Sequence, residues 1–230
     1  MKNLTLLLFI IIQSTLYSQI SKTKGSSCGT EFTKEDEVYF KNKKKTYNKK
    51  SYKLNSPVSI PIKIHIVRQS DGNGGLNETL LNEAINRVNT EFSPLEMSFY
   101  ICEDINYINN SEFYDFDNSE EDDLAETTEV IQVINMYFVN SIVLNGDSNV
   151  GGYAKFPTFY LLNTNKTNRI LIKNSNVQGN TISHELGHFF SLLHTHGKSN
   201  NELTDELVDG SNCSSSRDNI CDTPADTYLL

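Results

Sequence analysis

Beyond its first 18 residues the chain has no run approaching the roughly 18 consecutive apolar residues of a membrane-spanning helix, so no integral membrane segment is expected in its body. It also lacks internal repeats, heptads and a collagen-like Gly period, which excludes fibrous and solenoid architectures. Basic residues are scarce where a nucleic-acid binder would need them, since residues 54–230 carry nine Lys+Arg against 25 Asp+Glu. A phosphate backbone demands a basic face, so nucleic acid is not an expected partner. There are only four Cys and three Met, and no Met follows Met136.

What is present is the balance of a globular protein: 230 residues, 37% hydrophobic and 21% charged. Lys2 precedes an apolar run from Leu4 to Ile12, broken only by Thr5, and residues 1–18 read as a secretory signal peptide. A secreted, extracellular location places Cys28, Cys102, Cys213 and Cys221 in an oxidising compartment, where four Cys allow three full pairings. Residues 22–53 hold ten Lys and four acids. They belong to a basic pro-segment or linker, residues 19–56, that either contacts the acidic body in cis or stays solvated. Residues 57–230 are the body.

Within the body, Val58, Ile60, Ile62, Ile64 and Ile66 alternate with Ser59, Pro61, Lys63, His65 and Val67, the period of a strand with one face in a core. Pro61 favours a sheet edge or the strand's start, and His65 falls opposite the apolar set, in a structural role. Residues 71–75 form a turn. Asn77 then caps a helix whose Leu80, Leu81, Ala84, Ile85, Val88 and Phe92 recur at three and four, stopping near Pro94. Residues 97–102, 130–139, 151–156 and 169–173 read as strands, and the acidic residues 112–129 as a loop or short exposed helix. Thr181 opens a second helix, and the chain beyond Gly197 is polar and irregular.

Four of the five His fall between His184 and His196. Residues four apart share a helix face, so His184 and His188 can present two imidazoles to one metal ion, with Glu185 one step round and directed at the metal's water. His194 supplies a third ligand if the chain leaves the helix after about Phe190 and turns back. An open zinc site of this kind lowers the pKa of its water, and Glu185 as general base takes the proton before passing it to the leaving amine. From this composition HExxH arises by chance in roughly one chain in a hundred, and the third His makes coincidence rarer still.

His184-Glu185-x-x-His188-x-x-Ser191-x-x-His194 resembles the metzincin zinc motif HExxHxxGxxH, and Thr195 after the third His is similar to the pappalysin-like branch. Residues 152–157, Gly-Tyr-Ala-Lys-Phe-Pro, resemble the metzincin edge strand along which substrate is laid out. Residues 218–224, Asp-Asn-Ile-Cys-Asp-Thr-Pro, resemble the family's segment ending in Asp-Thr-Pro. The resemblance covers the chain from about Pro57. It implies an α+β fold, a twisted mixed sheet with a backing helix and an active-site helix, zinc-dependent endopeptidase activity, and a protein or peptide substrate bound in extended form. Calcium is implied as a second metal, with Asp218 and Asp222 as candidates, although paired oxygens in a polar loop are also common turn formers.

Two departures stand out. Ser191 occupies the family's Gly position, where a Cβ in strained dihedrals costs roughly 1 kcal/mol. The Met-containing turn expected after the third His is absent, so the chain reads as one whose C-terminal subdomain is incomplete, and Cys213 or Cys221 has then lost a partner unless the two pair locally. Cys28 has two readings: a disulfide with Cys102, or a thiolate from the pro-segment in the open zinc position, as in some metzincins. Residues 77–79 and 165–167 match the N-glycosylation sequon. The alternative from another class is a non-catalytic secreted module that binds zinc or a protein partner. A third reading, amidase action on cell-wall peptides, shares the same water activation.

Overall fold

The computed structural model describes residues 26–47, 57–156, 168–197 and 205–222. The signal-peptide segment, the sequon at 165–167 and residues 223–224 lie outside them.

A central mixed sheet organises the chain. Its strands are β1 (Ser27–Cys28), β2 (Val58–Arg68), β3 (Met97–Ile101), β4 (Asn106–Asn109), β6 (Ile134–Val139), β8 (Val150–Ala154) and β9 (Arg169–Lys173). They run in the order β1-β8-β9-β6-β2-β3, with β4 also on β2, and only the β8–β9 pair is antiparallel. The short strands β5 (Asp115–Asp117) and β7 (Ser141–Val143) make a separate parallel pair. The helices are α1 (Lys34–Tyr47), α2 (Glu78–Phe92), α3 (Ser111–Tyr114), α4 (Glu121–Thr128) and α5 (Thr181–Phe189).

The sheet is covered on both sides, which corrects the one-faced reading of β2. Every residue from Ile62 to Val67 is buried, Lys63 and His65 included, because a parallel strand at the middle of a sheet has packing on both faces. Lys63 reaches the Glu103 carboxylate at 3.0 Å and the Asp104 carbonyl at 2.8 Å. His65 is held between Asn135 Oδ1 and Asn106 Nδ2, both at 3.0 Å, and stacks on Tyr137 with centroids 4.2 Å apart. Pro61 sits where expected. Val58 N donates to Glu96 O and Ile62 O accepts from Cys102 N, so even-numbered residues bond toward β3. Pro61 therefore faces the side on which pairing with β6 begins only at Ile62.

α2 backs one face of the sheet, as its periodicity predicts. The Asn77 side chain accepts from Thr79 N and Leu80 N, and Leu81, Ala84, Ile85 and Val88 bury against Ile64, Phe99, Met136 and Ile170. α5 completes that core through Ile182 and Leu186.

The acidic residues 112–129 are more than a loop, and their helix is exposed on one side only, through Asp122, Asp123 and Glu126. The stretch forms α3, β5 and α4, with Phe116, Leu124 and Glu121 buried. Glu121 is tolerated there because its Oε1 lies 3.0 Å from Arg169 Nη1 and 2.7 Å from Lys155 Nζ, while Arg169 Nη2 lies 3.0 Å from Glu129 Oε2. The pairing ties α4 to the start of β9 and the end of β8.

Candidate metal centre

α5 carries His184, Glu185 and His188, and its apolar residues fix which way they point: Ile182 and Leu186 enter the core, leaving the two His on the opposite flank. The helix ends by a defined turn. Ser191 N donates to His188 O at 2.8 Å and Leu192 N to Gly187 O at 2.9 Å, with Ser191 at φ 77°, which is a Schellman ending with Ser at its left-handed position. The departure from Gly at this point thus leaves the turn intact. It returns the chain so that Leu192 O accepts from His188 Nδ1 at 2.8 Å and His194 comes back to the helix. That bond leaves the His188 Nε2 lone pair free to face the cluster.

The three Nε2 atoms of His184, His188 and His194 lie 3.0, 3.1 and 3.2 Å from one another. Cys28 Sγ, from β1, lies 3.5 Å from His188 Nε2, and all four donor atoms fall within 4.8 Å of each other. The donor set fits zinc: a tetrahedral ion with ordinary bond lengths has N–N edges of about 3.3 Å and N–S edges of about 3.6 Å. It is the one group of three or more candidate ligand side chains among the described residues. His196 stacks on His194 at 4.6 Å but stands outside the group.

Burial pushes the His188 imidazole down to about 4 and His194 to about 3, with neighbouring His adding to the effect, and it lowers His184 as well. All three are neutral at pH 7 and ready to ligate. Burial also raises the Cys28 thiol to about 12, assisted by the charge of Glu185, so only a cation at the imidazoles would hold it as thiolate. Glu185 is raised to about 7, again by burial, with hydrogen bonds from Thr30 and Cys28 opposing. Its Oε2 accepts from Thr30 Oγ1 at 2.8 Å and weakly from the Cys28 thiol at 3.8 Å, and its Oε1 has no partner among the described residues.

The N-terminal segment lies along β8 as an added strand, Ser27 opposite Val150 and Cys28 opposite Gly152, so β8 is the body's edge strand as the sequence suggested. At Gly29 a Cβ would come within 2.2 Å of Leu144 Cδ1 and 2.9 Å of Val150 Cγ1, so any side chain there would force Leu144 and Val150 to move. Phe32 and Phe40 then close edge-on over Phe156, whose ring in turn meets His188 at 5.6 Å. The Cys28–Cys102 disulfide does not form. Neither is disulfide-bonded, and they sit at opposite ends of the strand order, about 24 Å apart by strand spacing against the roughly 7 Å limit for bridging.

Cys213 and Cys221 pair with each other. Their loop is also held by a buried Arg217–Glu206 pair at 3.2 Å, which sequence reasoning missed. Asp218 is buried with Oδ1 accepting from Ile220 N, an Asx-turn, whereas Asp222 is exposed. No third ligand side chain gathers with them among the described residues. Thr30, too, went unread in the sequence, since a lone Thr has no local signal for a contact across 155 residues.

Two imidazoles and a Glu on a helix, a third imidazole returned to them by the turn that follows, and a mixed sheet above are the arrangement of a metzincin-type metalloprotease fold. The chain belongs to the Metallo-peptidase family M12B Reprolysin-like, which it matches over residues 79–195. It is 26% identical over 185 residues to a protein from Colletotrichum graminicola named extracellular metalloprotease, covering 73% of this chain and 58% of the relative. The chain thus spans a little over half the length of that relative. A promirolysin mutant from Tannerella forsythia shares the fold, with a TM-score of 0.61 over 87% of this chain and 76% of that one at 17% identity.

Proposed function

We propose that the chain is a secreted, zinc-dependent endopeptidase of pappalysin-like type, in a form kept latent by its own N-terminal segment. The observation that carries this reading is the convergence of the Cys28 thiol and the His184, His188 and His194 imidazoles on one point, with Glu185 beside it. Those four side chains are the ones that would hold the metal, which when bound supplies Lewis-acid polarisation and a water of lowered pKa. Glu185 is the general base: its buried carboxylate takes the proton of the attacking water and returns it to the leaving amine.

Substrate is an extended polypeptide added to the outer side of β8, the place that Ser27 and Cys28 occupy here. Residues 19–56 act as the pro-segment, so their departure frees both the edge strand and the thiol's position. Secretion is supported by the apolar N-terminal run and by the extracellular relative.

The test is cleavage of an unfolded protein substrate before and after removal of the segment preceding residue 57. The reading predicts cleavage only after removal, abolished by a chelator and restored by zinc. Zinc-loaded, folded, processed protein that leaves every peptide bond intact would contradict it.

A further inference from the structure

In the latent form proposed above, the segment lays Ser27 and Cys28 on β8 and brings the Cys28 thiol to the metal cluster. That thiol is a weak partner for Glu185, at 3.8 Å. The closer contact is made by Thr30, which is 8% exposed. Its Oγ1 donates to Glu185 Oε2 at 2.8 Å and accepts from Ala154 N at 2.9 Å. One hydroxyl therefore occupies a carboxylate oxygen of the proposed base and, at the same time, a main-chain donor of β8 that an extended ligand would use.

The segment is built to place it there. Cys28 pairs opposite Gly152, Gly29 packs directly against Leu144 and Val150, and the next residue then reaches the end of β8. Both directions of the hydroxyl are needed, because a group that only donates leaves the Ala154 amide unsatisfied and one that only accepts faces the carboxylate.

We propose that Thr30 is a second lock, holding Glu185 and the β8 edge independently of any metal. It predicts that latency is divided between two side chains: Cys28 blocks the metal position and Thr30 blocks the base and the substrate's strand.

The inference rests on the latency reading, so the test reads Thr30 without activity first. Amide exchange at Ala154 is measured in chelator-treated full chain, with the core amides of Ile64 and Met136 as an internal reference for global opening. Wild type, Cys28→Ala and Thr30→Ser should protect Ala154 equally, while Thr30→Val and Thr30→Ala should speed its exchange about tenfold, the loss expected for one buried hydrogen bond. Exchange that is unchanged in both hydroxyl-free variants, or already fast in chelated wild type, overturns the proposal. With zinc restored, unprocessed Cys28→Ala/Thr30→Val should exceed unprocessed Cys28→Ala in cleavage rate by a similar factor of about ten. Equal rates overturn the proposal as well. Inactive processed wild type would sink the peptidase reading instead, leaving the exchange data to decide on Thr30.

Discussion

Ser191→Gly should stabilise the protein, against the usual trend for substitutions. Ser191 sits at φ 77° in the turn that ends α5, and among the described residues its hydroxyl has no hydrogen-bond partner to lose. An L-residue in the left-handed region costs roughly 1–2 kcal/mol, and glycine gives back about 0.5–1 kcal/mol through its larger entropy in the unfolded chain. The net expectation is a gain of about 1 kcal/mol, which for a domain of this size raises Tm by roughly 2–4 °C. Thermal unfolding of chelated wild type and variant gives the number directly. The turn is already formed through Ser191 N and Leu192 N, so zinc affinity should stay within about twofold. A lower Tm would refute the strain argument. A large gain in zinc affinity would mean that the turn forms only when metal binds.

Other perturbations follow from buried groups. Burial holds the His65 imidazole down to about 4 from 6.5, so as pH falls below 6.5 the unfolded chain binds a proton that the folded one refuses. By pH 5 this residue alone costs about 2 kcal/mol relative to pH 8, so the stability gap between wild type and His65→Phe should shrink by that amount; a gap that is constant with pH would show that His65 titrates freely. Arg169→Met leaves Glu121 and Glu129 buried without their guanidinium and should cost about 3–5 kcal/mol in denaturant unfolding, whereas a loss under 1 kcal/mol would show that the carboxylates find water. The Cys213–Cys221 bridge closes a separation of eight residues, so its replacement by two Ser should cost about 2.5 kcal/mol and open residues 205–222 to protease; an unchanged digestion pattern would mean that the Glu206–Arg217 pair suffices.

Elements governed by local spacing were legible in the sequence. The Asn77 cap and apolar stripe gave α2, the HExxH spacing gave the face of α5 on which His184 and His188 come together, and the Tyr153 region was recognised as an edge strand by resemblance. What stayed hidden depends on partners distant in the chain. Glu121 and Glu129 looked solvated because their partner, Arg169, lies 48 and 40 residues away. Lys63 and His65 looked outward because alternation cannot tell an edge strand from a central parallel one, whose second face is covered by elements not yet in view. Cys28 offered two readings, and strand order removes the disulfide by putting Cys102 at the far side of the sheet, while the thiol lies beside His188. Thr30 gave no signal, since its hydroxyl acts only once β1 is laid on β8.

Central to the account is Glu185 as the base of a metal-dependent peptidase, and the most direct measurement compares processed wild type with processed Glu185→Ala. Zinc content and cleavage products are read on the same samples by mass spectrometry. Each protein should hold one zinc per chain, since Glu185 is not among the gathered donors, and only wild type should cut. Equal cleavage by the two, with zinc bound in both, would contradict the assignment.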